Sequence, residues 1–428
     1  MKKVFIKTFG CQMNVYDSEY ISFLLKNRGF KVVDKPEEAD FIVVNGCVVR
    51  AKPAQKAFSF AKQWAKKGKK IISVGCFAKF FEKQLEKFSS LIISPKNYNV
   101  FEKIDFDNLN TSKVLKYTSD FADGEYGYYK RKEKVKHSEY ITIVEGCDNF
   151  CSYCIVPFVR GREVYRSVYE IVDEIEYLIS KGVKEIILIG QNVNVYYHNG
   201  YDFKKLLLFI LKKVKNLKRL GFTTLHPRDV DYELIKIVSE EEKLLKWFHL
   251  PFQTGSNKLL IKMRRGYLKE EYLEKVMYIR EKIPDAVIST DIMVGLPFED
   301  EKDFEDTLDI VNKVKFENAF MFVYTPRDYT YAGKFWKKYI PPPDVVQRRL
   351  RTLIKNVTKN AFERKINFID KEMCLMYDGG GEGRGWNNLR VKILSKEIEN
   401  LKPGTFIKCK IENLQGLLPY CKSFEIIS

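Results

Sequence analysis

Three apolar segments in the first hundred residues each lead to the same dipeptide, Gly-Cys. They cover positions 3–9, 41–45 and 71–74 and precede Cys11, Cys47 and Cys76. Each segment is typical of a buried parallel strand, and the sequence between them, such as 17–28 and 53–66, is typical of crossover helices. Because strand ends of one sense lie along one edge of a parallel sheet, the three thiols are expected to converge there. A lone cysteine at a strand end is usually a small buried hydrophobe, but three at equivalent points favour a set of metal ligands.

A second set of thiols lies in the segment GCDNFCSYC at positions 146–154. Cys147, Cys151 and Cys154 can hold an iron–sulfur cluster but leave one iron without a protein ligand. An open position of this kind separates catalytic metal sites from closed structural ones. A zinc knuckle is the alternative, but the only nearby histidine is His137, upstream, and no histidine follows within the next forty residues. The close pairing of zinc ligands is therefore missing.

Six further apolar runs alternate with amphipathic helical sequence in the middle of the chain. They cover 140–145, 185–190, 219–225, 248–252, 287–294 and 320–324. This alternation predicts parallel strands joined by crossover helices. The Tyr-rich and Lys-rich stretch at 125–136, just before the first run, is interpreted as a linker.

The C-x3-C-x2-C pattern, with an aromatic residue before its last cysteine, resembles the signature of the radical S-adenosylmethionine (SAM) superfamily. The resemblance implies a 4Fe-4S cluster whose open iron is chelated by SAM, and one-electron cleavage of SAM to a 5′-deoxyadenosyl radical. It also implies a partial αβ barrel, which the six strand–helix units match. Functional residues of such barrels lie at the carboxyl ends of the strands.

Two loops resemble segments that line the SAM and substrate cavity in related proteins, GQNV at 190–193 and LPFQTGS at 250–256. The resemblance therefore implies four cofactor-binding residues: Gln191, Asn192, Gln253 and Ser256. Ordinary loop hydrogen bonding is the alternative for the two glutamines. A structural role is expected for His226 and His249.

The amino-terminal segments resemble the methylthiotransferase family: TFGCQMNVYDSE at 8–19, VVNGCVVRAKPAQK at 43–56 and SVGCFAK at 73–79. The resemblance implies that Cys11, Cys47 and Cys76 ligate an auxiliary 4Fe-4S cluster. Within the family, the wording at 10–14 and at 49–50 resembles the tRNA-modifying, MiaB-type branch. The segment 160–163 matches the family's RGRE, whose arginines either fork onto a carboxylate or phosphate or form a surface salt bridge.

The last part of the chain combines a basic helix with β-rich sequence. The segment between Pro341 and Ile369 contains seven Lys or Arg residues and two acidic residues, and a helix is predicted over 344–368. Short apolar runs after it predict a small five-stranded barrel of the OB-like kind, and 383–387 resembles the start of a TRAM domain, an RNA-binding module. The glycines at 379–385 are interpreted as a hairpin turn rather than a phosphate loop, and the three cysteines at 374, 409 and 421 as buried thiols.

The predicted fold class is α/β in three successive modules. They are a doubly wound parallel sheet domain over 1–124, a radical SAM core with a partial (β/α)6 barrel over 133–365, and a TRAM-like β-barrel over 366–428.

The net charge of +18 favours a polyanionic partner, although a Lys-rich surface is the simpler alternative. The longest apolar run, 206–211, is too short to cross a bilayer, and the chain begins without an apolar signal segment, so a cytoplasmic location is expected. Nine cysteines in a reducing compartment fit metal ligation better than disulfides.

The resemblance implies an enzyme that methylthiolates C2 of N6-isopentenyladenosine beside the anticodon of tRNA. Its cofactors would be two 4Fe-4S clusters and SAM, and its partners the tRNA anticodon stem-loop and a reducing electron-donor protein, with the chain acting as a monomer. The same chemistry on threonylcarbamoyladenosine in tRNA or on an aspartate of a ribosomal protein is the first alternative. An RNA-binding iron–sulfur sensor without turnover is the second.

Overall fold

The computed structural model of the chain describes residues 1–109, 114–118 and 135–427. Its elements form three groups in chain order, a parallel sheet with helices, a second αβ series and a mainly antiparallel sheet. This arrangement confirms the predicted fold class. The linker predicted over 125–136 lies outside the described residues up to position 134, and so does the boundary predicted near 124–133.

The first group is a six-stranded sheet in the order β2-β1-β3-β4-β5-β6, in which every pair is parallel. Alternate residues of its strands face opposite sides, so Val43 packs under helix α1 and Val44 under helix α2. The strands are β1 Lys3–Phe9, β2 Lys31–Val32, β3 Phe41–Gly46, β4 Lys70–Val74, β5 Leu91–Ile93 and β6 Leu115–Tyr117. The helices are α1 Gln12–Asn27, α2 Ala51–Lys66, α3 Cys76–Phe80 and α4 Glu82–Leu85.

The second group contains the six strands expected of a partial barrel, in two parallel three-stranded arcs, β7-β10-β13 and β14-β15-β16. A parallel bridge between Leu220 and Leu244 joins the arcs. The strands are β7 Ser138–Thr142, β8 Val144–Glu145, β9 Val164–Tyr165, β10 Glu185–Ile189, β11 Tyr197–His198, β12 Tyr201–Asp202, β13 Arg219–Phe222, β14 Trp247–His249, β15 Val287–Val294 and β16 Asn318–Val323. The helices are α5 Val156–Arg160, α6 Val168–Ser180, α7 Phe203–Lys213, α8 Tyr232–Glu240, α9 Asn257–Lys262, α10 Lys269–Lys282, α11 Glu301–Val314, α12 Tyr331–Phe335 and α13 Pro343–Ile366.

The third group is a seven-stranded sheet, in the order β21-β22-β19-β18-β17-β20-β23, rather than the five strands predicted. The difference arises at β18, β21 and β22, which have only three or four residues each, too few for an alternating pattern to show in sequence. The strands are β17 Glu372–Gly379, β18 Glu382–Gly385, β19 Arg390–Ile393, β20 Phe406–Lys410, β21 Asn413–Gln415, β22 Leu418–Cys421 and β23 Glu425–Ile426. The glycines at 379–381 connect β17 to β18, which confirms the predicted hairpin turn.

The third group is attached to the amino-terminal ends of the barrel strands through Arg219, which is fully buried. Arg219 forms an ion pair with Glu185, 2.9 Å between Nε and Oε2, and donates hydrogen bonds to the carbonyl oxygens of Arg384 and Gly385. The Trp386 ring lies 5.0 Å from its guanidinium carbon and donates its own N–H to the carbonyl of Glu242. The segment 383–387, which resembles an RNA-binding module, therefore serves here as the docking surface between the sheet and the barrel.

Within the described ranges, no helix is both long enough and apolar enough to cross a membrane.

We expect Arg219→Ala to destabilise the protein by about 3 kcal/mol, because it breaks a buried ion pair and leaves two buried carbonyls without their donor. Arg390→Ala, which removes an exposed ion pair with Glu382 in the same sheet, should cost less than about 1 kcal/mol. Urea unfolding of both variants measures the difference. Equal losses of unfolding free energy in the two variants would show that the contact around Arg219 stabilises the protein no more than an exposed ion pair does.

Candidate active site

Cys11, Cys47 and Cys76 all lie at the carboxyl edge of the parallel sheet, where the sequence places them. Cys11 stands between β1 and α1, Cys47 follows β3, and Cys76 begins α3 after β4. The Cys11 and Cys47 side chains share a hydrogen bond, and each thiol is close enough to Cys76 for charge on one to affect another. The three strand ends therefore bring the thiols together into one group, which we call the edge set.

The glycine before each of these cysteines is required by close packing. A Cβ on Gly75 would lie 2.3 Å from Oδ1 of Asn45, and the residue has a φ of +85°. A Cβ on Gly46 would lie 2.6 Å from the Cβ of Phe77, and one on Gly10 would lie 2.1 Å from Oδ1 of Asn14. The Gly-Cys dipeptides thus let the backbone approach closely enough for the three thiols to meet.

Two buried asparagines hold the edge set in place. Asn14 accepts hydrogen bonds from the backbone N–H of Cys11 at 3.3 Å and from its thiol at 3.4 Å. Asn14 in turn donates to Oδ1 of Asn45 at 2.9 Å, and Asn45 donates back to the Asn14 carbonyl at 2.8 Å. The loop after β1 is therefore fixed to the end of β3 by side-chain amides.

The thiols of the edge set differ in their readiness to ionise. The hydrogen bond with Cys47 lowers the pKa of Cys11 to about 6 and raises the pKa of Cys47. Burial raises the pKa of Cys76 to about 11, although the nearby Arg160 acts in the opposite direction. Since thiolates are the species that bind metals, Cys11 is the group best prepared to ligate near neutral pH.

Cys147, Cys151 and Cys154 form a second group in the loop after β8, which we call the loop set. Burial, with a smaller contribution from charge on Cys151, raises the pKa of Cys147 to about 11 and that of Cys154 to about 12. Gly146 precedes the set with a φ of +86°, and a Cβ there would lie 2.1 Å from the Arg162 carbonyl oxygen. The glycine of this fourth Gly-Cys dipeptide is therefore required by close packing, as are the glycines of the other three.

Each set has one buried arginine that donates a hydrogen bond to a sulfur. The Nε–H of Arg160 donates to Sγ of Cys76 at 3.3 Å, and Nη1 of Arg265 donates to Sγ of Cys151 at 3.6 Å. Arg265 is fixed by the Pro251 carbonyl, to which it donates at 2.9 Å, and by the Tyr267 hydroxyl. Both sulfurs therefore lie beside a fixed positive charge.

Arg160 also connects the two sets. Its guanidinium binds Asp17 of α1, 2.6 Å from Nη2 to Oδ2, and Glu145 of β8, 2.9 Å from Nη1 to Oε1. All three side chains are at most 2% exposed. Burial raises the pKa of Glu145 to about 7, and Arg160 opposes this rise. Of the two interpretations left open for this arginine, the fork onto a carboxylate is confirmed, because Nη1 and Nη2 donate to Oδ1 and Oδ2 of Asp17 at 3.3 and 2.6 Å. The pair is buried between the first and second groups of the fold, so it is not a surface salt bridge.

The two sets face each other across a small apolar cluster. Val48 and Cys76 of the first group pack there against Ile155, the neighbour of Cys154, and against Val159. The loop after β16 adds a second contact, in which Arg327 donates to the Val49 carbonyl at 3.2 Å. Sulfur atoms from both sets therefore border the same region at the carboxyl ends of the barrel strands.

The four candidate cofactor-binding residues lie in loops at these strand ends but differ in how their side chains are used. Gln191 accepts a hydrogen bond from the N–H of Gly146 at 2.6 Å and so supports the loop set. Asn192 donates to Asp229 at 3.0 Å, while its Oδ1 is buried without a partner among the described residues. Gln253 has a φ of +71°, and its backbone is bonded to β15. Ser256 begins α9, where its hydroxyl accepts from Leu259 and donates to Asp303 at 2.6 Å.

Several other buried polar atoms at this end of the barrel also have no hydrogen-bond partner in the described part of the chain. They include Nε2 of His226, Oδ1 of Asp291, Oγ of Ser152 and the hydroxyl of Tyr324. Unpaired polar atoms are costly inside a protein, so their concentration at one place is typical of a ligand cavity. Burial lowers the pKa of His226 to about 2, which leaves its imidazole neutral. His249 has the structural role expected, since Nδ1 lies 3.0 Å from the Ser289 hydroxyl.

Within the described residues, no group of three or more His, Cys, Asp or Glu side chains is arranged to hold a single metal ion. The donor chemistry of both sets is three thiols each, which suits an iron–sulfur cluster that extends over several ångströms.

Sequence reasoning missed the residues that join and support the two sets. Asp17 and Asn14 lie inside the segment 8–19, and Arg265 lies just after α9, but no local pattern indicates that they meet Arg160, Asn45 or Cys151. The segment 8–19 contains a second acidic residue, Glu19, so its composition does not single out Asp17.

Comparison with known families gives two matches. The model of the Radical SAM superfamily matches residues 141–311, and a model described as uncharacterized protein family UPF0004 matches residues 3–93. The two matches contain the loop set and the edge set, respectively.

Curated relatives cover nearly the whole chain. The tRNA-2-methylthio-N(6)-dimethylallyladenosine synthase of Thermodesulfovibrio yellowstonii is 41% identical over 96% of this chain and 96% of its own length. The proteins of the same name from Thermotoga petrophila and Aquifex aeolicus are 37% and 40% identical, over 96% and 83% of this chain and 95% and 83% of theirs.

Among solved structures, the radical SAM methyltransferase TsrM from Kitasatospora setae, with tryptophan and a SAM analogue bound, has a TM-score of 0.60 at 15% identity. The match covers 78% of this chain and 75% of that one, and it confirms the fold of the barrel. Together with the sequence relatives, these matches show that the chain belongs to the tRNA-2-methylthio-N(6)-dimethylallyladenosine synthase family of the radical SAM superfamily.

Proposed function

We propose that this enzyme methylthiolates C2 of N6-isopentenyladenosine next to the anticodon of tRNA. The observation that carries the proposal is the meeting of two three-thiol sets, one from each family match, at the carboxyl ends of the barrel strands. Curated relatives that are 37–41% identical to this chain bear names that state this product. The alternatives on threonylcarbamoyladenosine or a ribosomal-protein aspartate have no comparable support.

In this proposal Cys147, Cys151 and Cys154 hold the radical SAM cluster, and Cys11, Cys47 and Cys76 hold a second, auxiliary 4Fe-4S cluster. The radical SAM cluster with bound SAM supplies a hydrogen-abstracting radical. Such chemistry suits this substrate because an adenine C2–H is not acidic, so a general base has nothing useful to remove. Three thiols in each set leave one iron open, for SAM at the loop set and for sulfur at the edge set.

The protein's own residues bind and orient the reactants. We assign the SAM cavity to the region around Asn192, His226 and Asp291, each of which has a buried polar atom without a hydrogen-bond partner among the described residues. Gln253 is assigned to the same region because its backbone N–H donates to the Asp291 carbonyl. Gln191 positions the loop set through Gly146 rather than contacting the cofactor. Ser256 contributes by starting α9, because its hydroxyl already has two protein partners.

The exposed face of α13 is the surface that we assign to tRNA. Arg351, Lys355 and Lys359 follow one another at intervals of four residues, which places them in a row about 6 Å apart on one side of the helix. Neither Arg351 nor Lys355 has an ion-pair partner in the described part of the chain. Beside this basic row lie Ile354, Thr358, Phe362 and Ile366, all exposed.

A groove of about 510 Å³ lies where this face meets the hairpin between β21 and β22. Its lining residues are Lys355, Thr358, Lys359, Phe362, Gly416 and Leu417. Phosphates pair with lysines, and bases stack on exposed aromatic rings such as Phe362, so the groove has the two features that a single RNA strand needs. Since α13 packs along β16, the basic row leads from the edge of the barrel to the carboxyl-terminal sheet.

The proposal also includes a reducing electron-donor protein, a monomeric enzyme in the cytoplasm, and domain limits at 1–124, 133–365 and 366–428.

Replacing the two cysteine sets separately should separate two activities. The triple variant C147A/C151A/C154A is expected to lose about half of the iron and to form no 5′-deoxyadenosine from SAM. The triple variant C11A/C47A/C76A is expected to lose the other half, to keep 5′-deoxyadenosine formation and to lose methylthiolation. Iron analysis and product chromatography after anaerobic reduction measure both outcomes. If the intact protein forms no 5′-deoxyadenosine, it is an RNA-binding sensor rather than an enzyme.

The substrate is tested by nucleoside analysis of a strain that lacks the gene. We expect tRNA from that strain to accumulate N6-isopentenyladenosine without its methylthio group, and re-expression of the gene to restore the methylthio form. Mass spectrometry of the ribosomal proteins serves as the control. The proposed substrate would be wrong if the strain kept methylthiolated isopentenyladenosine but lost the methylthio group from a ribosomal aspartate or from threonylcarbamoyladenosine.

The double variant K355E/K359E should weaken tRNA binding at least tenfold and reduce its dependence on salt, because two phosphate contacts become repulsive. The matched control is Lys236→Glu on α8. Like Lys359, Lys236 is an exposed helical lysine whose only ion pair with another described residue is with a glutamate one turn later. Electrophoretic mobility shifts over a range of salt concentrations provide the measurement. If the variant and the control bind alike, the α13 face does not hold the tRNA.

A further inference from the structure

We propose that Arg160 is a positioning residue that raises the reduction potential of the auxiliary cluster through its hydrogen bond to Cys76. The inference rests on the proposed function, since it requires a cluster on Cys11, Cys47 and Cys76. It assigns a task to a side chain that lies outside the cysteine sets.

The guanidinium divides its donors between two kinds of partner. The Nη groups bind Asp17 and Glu145, at 2.6 and 2.9 Å, while the Nε–H alone is directed at the sulfur of Cys76, 3.3 Å away. The planar guanidinium has donors on several sides, and here they serve three acceptors at once. The carboxylates therefore fix the arginine from one side, and the remaining donor meets the thiol from the other.

The effect on potential follows from electrostatics. Reduction adds one negative charge to a cluster, and part of that charge resides on the ligand sulfurs. A hydrogen bond to a sulfur stabilises the reduced form more than the oxidised form and so raises the potential. Burial strengthens this effect because Arg160 is only 2% exposed and little solvent screens its charge. The carboxylate of Asp17 acts in the opposite direction on Cys76, but its effect is smaller than that of the guanidinium.

Arg265 offers a matched comparison within the same molecule. It is also a buried arginine, and it donates to Cys151 of the loop set at 3.6 Å. Its hydrogen bonds in the described part of the chain go to Cys151, Pro251 and Tyr267, none of which belongs to the edge set. A change at Arg265 should therefore alter the loop-set cluster and leave the auxiliary cluster unaffected, whereas a change at Arg160 should do the reverse.

The experiment uses the full-length chain with one cluster at a time. In the C147A/C151A/C154A background, which retains the auxiliary cluster, reductive titration followed by electron paramagnetic resonance gives the midpoint potential. Arg160→Lys keeps the positive charge beside Asp17 and Glu145, but a single ammonium group cannot also reach the sulfur in the same geometry. We expect this variant to have a lower midpoint potential and an altered resonance spectrum. Arg265→Lys in the same background should match the parent protein.

The reciprocal measurement uses the C11A/C47A/C76A background, which retains the loop-set cluster. There Arg265→Lys should shift the midpoint potential and Arg160→Lys should not. A purely structural role for Arg160 predicts reduced cluster content in both backgrounds with an unchanged potential for the cluster that remains. That result, or an equal shift with Arg265→Lys in the first background, would overturn the proposal.

If Arg160→Lys prevents cluster assembly, the variant R160M/D17N/E145Q decides the question. It removes the buried charges together, which proteins tolerate better than the loss of one partner. Because the loss of the carboxylates alone raises the potential, the reference is the double variant D17N/E145Q. A lower potential in the triple variant than in this reference supports the proposal, and an equal potential refutes it. Absence of any cluster in the C147A/C151A/C154A parent would contradict the proposed function itself, which is a different outcome from a cluster whose potential ignores Arg160.

Discussion

The contact among Arg160, Asp17 and Glu145 is the constraint on which the architecture of the site depends. One carboxylate comes from the first helix of the parallel sheet domain and the other from the strand that leads into the loop set. Charges this deeply buried are stable only when they are paired, so a small shift between the domains would leave buried charges without their partners. The separation of the two thiol sets is therefore fixed by electrostatics as well as by packing. A reaction that passes a group between two centres needs such a fixed separation, because small displacements of reacting atoms are costly in rate.

The position of the edge set follows from a general property of parallel strands, whose carboxyl ends lie along one edge of the sheet. The ends of β1, β3 and β4 each place a Gly-Cys dipeptide at this edge, and each glycine is required because a side chain there would collide with a neighbour. The thiols thus converge without long loops, and buried amides such as Asn14 and Asn45 give the edge its rigidity. The barrel repeats this solution once, at Gly146-Cys147, and the apolar cluster around Val48 and Ile155 joins the two regions.

Much of the fold and the cysteine sets could be predicted from sequence, because strand periodicity and the Gly-Cys dipeptides are local signals. The start of α1 was predicted five residues late, since Cys11 occupies the position where a Ser, Thr, Asp or Asn usually marks a helix start. The pairing of Arg160 with Asp17 was inaccessible because the two are 143 residues apart and neither has a periodic context. The docking role of 383–387 could not be predicted from sequence either. Its glycine, arginine and tryptophan are equally typical of an RNA-binding surface and of the buried contact that they make with Arg219.

The attachment of the carboxyl-terminal sheet to the amino-terminal ends of the barrel strands has a geometric consequence. The thiol sets lie at the opposite ends of those strands, so the barrel separates them from the sheet by at least the length of a strand. For β10, with five residues, that length is about 17 Å. A polymer held by the sheet and altered at the thiols must bridge this height along the outside of the barrel. In the proposed binding mode, the length of the barrel therefore fixes the distance between the bound part of the RNA and the nucleotide that reaches the thiols. Neighbouring nucleotides at other distances are excluded from the reaction.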